Sequence, residues 1–72
     1  MDENYQALAN AVVELAAKDY MKALRALKRN PKSSTAVDEV KTIERFFRSS
    51  LFSLYTSLDS EYLIRRLREE VA

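Results

Sequence analysis

Seventy-two residues make one domain, 1–72, and no more. The chain contains no Gly, His, Cys or Trp and a single Pro, and its 12 Lys and Arg against 11 Asp and Glu leave a net charge of +1. These counts exclude imidazole and thiolate metal sites, Ser-His-Asp and Cys-His catalysis, disulfides and every glycine-built phosphate loop. They also remove the Asn-Gly and Asp-Gly turns of tight hairpins, so an all-α chain is what remains. The near-neutral balance argues against a strongly electrostatic nucleic-acid or membrane binder. Asp2 and Glu3 stand where a signal peptide would be basic, and no stretch approaches the ~20 apolar residues of a membrane span. The expectation is a cytoplasmic protein with no cofactor and no metal. At this size only about 60% of the unfolded surface is buried, so self-association is an expected supplement to stability.

The first helix is predicted from about Glu3 to Arg29. At 100° per residue Tyr5, Leu8, Ala9, Val12, Ala16, Tyr20, Ala23 and Leu27 share one stripe. Val13 and Leu24 widen it on one side, Leu15 and Ala26 on the other. Asn30-Pro31 ends the helix, because proline disfavours the α conformation at Asn30 and supplies no amide donor. The second helix is expected to start at a Ser34 or Thr35 cap, with Thr35 and Asp38 at capping-box spacing, and to run to about Arg48. Its apolar face is Ala36, Val40, Ile43, Phe47 and Leu51, in phase with Leu54 and Leu58. That unbroken phase favours a continuous helix, whereas Ser49-Ser50 and Thr56-Ser57 favour breaks; the expectation is a short or bent helical segment over residues 50–55 and then a corner. The third helix starts around Ser57 to Ser60, with Thr56 or Asp59 as its cap, and turns Leu63, Ile64, Leu67 and Val71 inward and Arg65, Arg68 and Glu69 outward. The fold class is therefore a small three-helix antiparallel bundle with a possible short fourth segment, expected to self-associate.

Charge is unevenly placed: residues 1–19 sum to −3 and residues 20–32 to +5. Lys22, Arg25, Lys28, Arg29 and Lys32 form the one basic concentration, suited to phosphates of nucleic acid or to solvated, dipole-matched cations at a helix end. Arg45 and Arg48 approach Arg65, Arg66 or Arg68 if the third helix folds back on the second, and planar guanidinium forks can then share one anion. Ordinary surface pairing with Glu44, Asp59, Glu61, Glu69 or Glu70 is the competing reading. Asp19 falls on the edge of the first apolar stripe, where a carboxylate needs a partner. An ion pair with Arg45, Arg48 or Arg66 would supply one; a ligand or subunit contact is the alternative. Phe46, Phe52, Tyr55 and Tyr62 sit off the main stripes and suit a protein contact better than base stacking. A helix-turn-helix fits poorly, since Asp59 and Glu61 open the helix that would read DNA.

The segments Asp19-Tyr20, Leu27-Lys28-Arg29-Asn30-Pro31, Ile43-Glu44-Arg45-Phe46-Phe47-Arg48-Ser49 and Glu61-Tyr62-Leu63-Ile64 resemble short helical proteins of unassigned function from prophages and mobile elements of Gram-positive gut bacteria. The likeness covers nearly the whole chain. It departs at Ser50-Leu51, where an acidic residue and Trp are usual, and at Ser60, where Gly is usual. The resemblance carries no catalytic residues and implies a phage setting, in which small proteins bind and block a host component.

The expected function is non-enzymatic: a homo-oligomeric phage accessory protein that binds and sequesters a host factor, a defence protein or its signalling nucleotide. Asp19, Tyr20, Arg45, Arg48, Tyr62 and Arg66 are the expected binding residues. The alternative is a small DNA- or RNA-binding accessory factor that uses Lys22, Arg25, Lys28, Arg29 and Lys32.

Overall fold

The computed structural model describes the backbone of residues 2–72 and the side chains of residues 7–72. It contains four helices in chain order: α1 (Asp2–Arg29), α2 (Ser34–Phe47), α3 (Ser50–Ser53) and α4 (Ser60–Val71). Three of them form the all-α bundle that periodicity predicts, and α3 is the short fourth segment. Contacts fix the directions. Tyr20 of α1 meets Glu44 and Phe47 near the end of α2, so those two helices run antiparallel. Arg68 of α4 reaches Tyr20, and Lys28 reaches the main-chain oxygens of Val71 and Ala72, so α4 runs parallel to α1.

Every turn is made without a left-handed residue, as a chain without glycine requires; no described residue has positive φ. At the first corner the Asn30 side chain accepts from the Lys32 amide, and the Asn30 carbonyl accepts from Ser33 at 3.0 Å. Pro31 fixes its own φ within this turn. The cap of α2 is Ser33, one residue before the expected position. Its hydroxyl accepts from the Ala36 amide at 3.2 Å, which puts Ala36 where a capping box needs a carboxylate, so Thr35 and Asp38 do not form one. Ser49 caps α3 by accepting from the Phe52 amide and itself donates to the Phe46 carbonyl at 2.6 Å. Asp59 caps α4, as expected, by accepting from Glu61.

The core is Tyr20, Ala23, Val40, Phe47, Phe52 and Ile64, with Val13, Ala16, Leu24, Leu27 and Ile43 packed against it. Small residues on α1 let its neighbours approach closely. Aromatic rings then fill the junction with α3: Phe52 meets Phe46 and Phe47 edge-on at centroid distances of 5.6 and 5.3 Å. Phe52 is thus core, not part of a second surface.

Two groups of leucines depart from their predicted burial. Leu51, Leu54 and Leu58 continue the phase of α2, but the chain turns at Arg48 and the phase ends with it; all three are at least half exposed. Leu8 lies on the predicted α1 stripe and Leu15 on its flank, yet they are 63% and 61% exposed. Their direction accounts for this: they point about 120° around α1 from its core-facing residues, while Ala9 beside Leu8 is buried and Val13 and Ala16 beside Leu15 pack on the core. At 1.5 Å per residue α1 is about 42 Å long and α2 about 21 Å, matching a molecule of 45 × 20 × 18 Å. The N-terminal part of α1 therefore extends past the end of α2, although Ala9 on its core-facing side is still buried. Tyr5, assigned to the same stripe, lies outside the described side chains.

Candidate functional site

The bundle brings polar side chains together at one place, where α1, α2 and α4 meet. Glu44 occupies the inward face of α2, between Val40 and Phe47, and is the buried charged residue among those described. Burial of an unpaired carboxylate is costly; here each oxygen is paired. Oε2 accepts from the Tyr20 hydroxyl at 2.6 Å and from the Arg68 guanidinium, and Oε1 accepts from Arg48 at 3.3 Å. Arg68 Nε in turn donates to the Tyr20 oxygen at 3.0 Å, closing a three-membered ring of hydrogen bonds. Arg48 reaches outward with its remaining donors and grips Glu61 bidentately, at 2.6 and 3.1 Å. No buried side-chain nitrogen or oxygen among the described residues lacks a partner.

Two arginines thus converge on one anion, as the sequence allows, and the protein supplies that anion. Two guanidinium groups against the carboxylates of Glu44 and Glu61 leave the network neutral. Arg68, expected on the outer face, is an inward member because it lies one turn after Ile64. Asp19, expected to be the stripe-edge carboxylate in need of a partner, is exposed and forms no ion pair among the described residues. It borders an open groove with Lys22, Glu39, Thr42 and Ile43. Arg45 and Arg66 are exposed and outside the network. Tyr62 is 48% exposed, and the Arg65 guanidinium stacks over its ring at 5.5 Å. Of the six expected binding residues, only Tyr20 and Arg48 come together. Lys22, Arg25, Arg29 and Lys32 remain exposed, and Lys28 closes on the end of α4.

The network holds its groups away from proton transfer near neutrality. Burial alone would raise the Glu44 pKa; hydrogen bonds from Tyr20 and Arg68 and the two nearby positive charges outweigh it and hold the carboxyl below its ordinary 4.5. Burial, reinforced by the Glu44 acceptor, pushes the Tyr20 phenol above its ordinary 10.0. Glu44 is therefore a fixed anion and Tyr20 a fixed donor across the physiological range. The described residues contain no cluster of three or more carboxylates able to hold a metal.

These shifts determine a stability profile. A depressed carboxylate contributes stability above pH 4.5 that is lost as pH falls through its lower folded value. A raised phenol contributes stability below pH 10.0 that is lost as pH rises through its higher folded value. With no His in the chain, thermal melts followed by circular dichroism should show a flat midpoint between about pH 5.5 and 9 and a decline on both sides. A step near pH 6.5 would contradict this assignment.

The second notable surface is apolar. Leu8, Leu15, Leu51, Leu54, Leu58 and Tyr62 are the large exposed hydrophobic side chains among the described residues. Leu8 and Leu15 lie on the first half of α1, Leu51 on α3, Leu54 and Leu58 in the corner after it, and Tyr62 in the first turn of α4. Lys28, Arg29 and Lys32 stand around the Asn30–Ser33 turn. No helix among the described residues is long and apolar enough to cross a membrane. No family model matches the chain, and neither a curated protein nor a solved structure shows a significant match to it.

Proposed function

We propose that this protein is a non-enzymatic binding module that self-associates through its exposed apolar side chains and, as that assembly, sequesters a partner. The carrying observation is that six large hydrophobic side chains are about half exposed or more on a small chain. So much uncovered apolar side chain on so few residues favours a protein contact. The polar network supports the same reading from the other side. Its charges are mutually satisfied and its titrating groups are locked in single protonation states, which suits a scaffold and not a proton-transfer site. In the phage setting that the sequence resemblance implies, the sequestered factor is a host defence protein or its signalling nucleotide, and the assembly works in the host cytoplasm. Tyr62, Arg45, Arg66 and Asp19 stay exposed and available for that contact.

Native mass spectrometry of the protein purified from its host tests both halves. The expected result is an assembly of identical 8.3 kDa subunits carrying a retained ligand or partner. A lone 8.3 kDa mass, with nothing retained, would overturn the proposal.

One observation favours a second reading. Lys22, Arg25, Arg29 and Lys32 are exposed and form no ion pair among the described residues, as a phosphate-contacting patch would be. A DNA or RNA accessory role predicts binding that weakens about tenfold or more between 50 and 200 mM salt. Absence of binding to duplex and to single strands removes it.

A further inference from the structure

The first half of α1 carries a second apolar strip. Leu8, Ala11, Val12 and Leu15 follow the i, i+3, i+4, i+7 spacing of a helix-packing seam and fall within about 100° of one another. Their mean direction lies about 120° from that of the α1 residues in the core. The strip is therefore separate from the face that α2 and α4 cover. Leu8 and Leu15 at its ends are 63% and 61% exposed, and Ala11 between them is exposed as well. It is bounded along the helix by Asp19 and Lys22.

We infer that this strip packs against the same strip of a second copy, with the two α1 helices antiparallel and the two-fold axis passing between Ala11 and Val12. The inference rests on the self-association proposed above and specifies its geometry. Three observations converge on it. First, the strip leaves room: it faces about 120° away from the core, and an overlap centred between Ala11 and Val12 sets the residues that carry each core, from Val13 on, on opposite sides of the axis. Second, the strip is self-complementary about its midpoint. Leu8 of one copy faces Leu15 of the other, while the small Ala11 beside the axis lets the backbones approach. Third, charge favours one direction. Within the overlapping residues 1–22 the first turn is acidic, and the last turn carries Lys18 and Lys22 with Asp19 between them. Antiparallel overlap brings the first turn of one helix, with Asp2 and Glu3 in its sequence, alongside the exposed Lys18 and Lys22 of the other. Parallel overlap sets acidic against acidic and basic against basic. Opposed helix dipoles favour the same choice.

Because the chain has no Cys, single cysteines report this geometry directly. Leu8→Cys and Leu15→Cys, one of them ¹⁵N-labelled so that products differ in mass, are oxidised separately and as a mixture. Both positions are exposed, so each variant should keep its helical circular dichroism. The mixed disulfide is expected at least about fivefold above the Leu8→Cys homodisulfide, since a disulfide needs Cα atoms within roughly 7 Å. Ala11→Cys, next to the axis, is expected to cross-link with itself. A dominant Leu8→Cys homodisulfide means parallel helices and overturns the inference. Dimers in sedimentation without any of these cross-links overturn it too, while leaving self-association standing. Monomers of the parent chain at micromolar concentration overturn both.

Discussion

Phe52→Ala is expected to destabilise the chain by about 3–5 kcal/mol, enough to leave much of it unfolded at 37 °C. Phe52 is 2% exposed and belongs to a helix of only four residues. Its ring touches Phe46 and Phe47 edge-on, and Phe47 touches Tyr20 in the same manner at 5.5 Å. Truncation therefore empties the place where α3 is anchored and removes two aromatic pairs, each contributing about 0.5–1.5 kcal/mol beyond area burial. With no disulfide or metal to compensate, a chain of this length has roughly 4–11 kcal/mol of total stability, so the loss is a large share of it. Phe52→Leu keeps most of the volume but loses the same two ring pairs, so it should cost about 1–3 kcal/mol, less than Phe52→Ala. Urea unfolding followed at 222 nm measures both. A Phe52→Ala midpoint close to that of the parent would mean that α3 is not part of the cooperative core.

The bundle itself is legible from local rules. Pro31 ends α1, Asp59 caps α4, and the Ser49-Ser50 pair breaks α2 from α3, each through backbone chemistry that acts within a few residues. What needs the tertiary structure is which faces find a neighbour. Leu8 and Leu15 read as core or its flank because the apolar stripe of α1 is broader than the face its neighbours cover, and periodicity does not say where that cover stops. Leu51, Leu54 and Leu58 read as α2 core because their phase is unbroken, although the backbone is not.

The polar site was half visible for the same reason. Asp19 draws notice as a charge beside an apolar stripe, but it borders an open groove. Glu44 had the stronger signal, since it lies four residues after Val40 and three before Phe47, within the inward phase of α2. Arg68, four residues after Ile64, carries the matching signal on α4. Pairing Glu44 with the nearby Arg48 through i,i+4 spacing is a local inference. Pairing it with Tyr20 and Arg68, 24 residues away in either direction, requires the fold.

Glu44→Ala should be the second most damaging substitution, and its cost should depend on Tyr20. The Glu44 side chain is 12% exposed, whereas Arg68 is 55% and Arg48 47% exposed. When the carboxylate is removed, both guanidinium groups regain water, so most of the penalty for stranding a buried charge does not arise. The Tyr20 hydroxyl has no such relief. Tyr20 is fully buried, and its donor is left without an acceptor, which costs about 1–3 kcal/mol. The variant should thus lose about 2–3 kcal/mol, equivalent to a fall in melting temperature of roughly 10–20 °C for a domain this small. Tyr20→Phe alone should lose about 1 kcal/mol, since it removes the hydroxyl and leaves Glu44 with Arg68 and Arg48. In the double variant Tyr20→Phe, Glu44→Ala, no stranded donor remains. Its loss should fall short of the sum of the two single losses by about 1 kcal/mol, the coupling that a double-mutant cycle reads. Strict additivity would show that the hydroxyl and the carboxylate act independently, and that α1 and α2 are held by apolar packing alone.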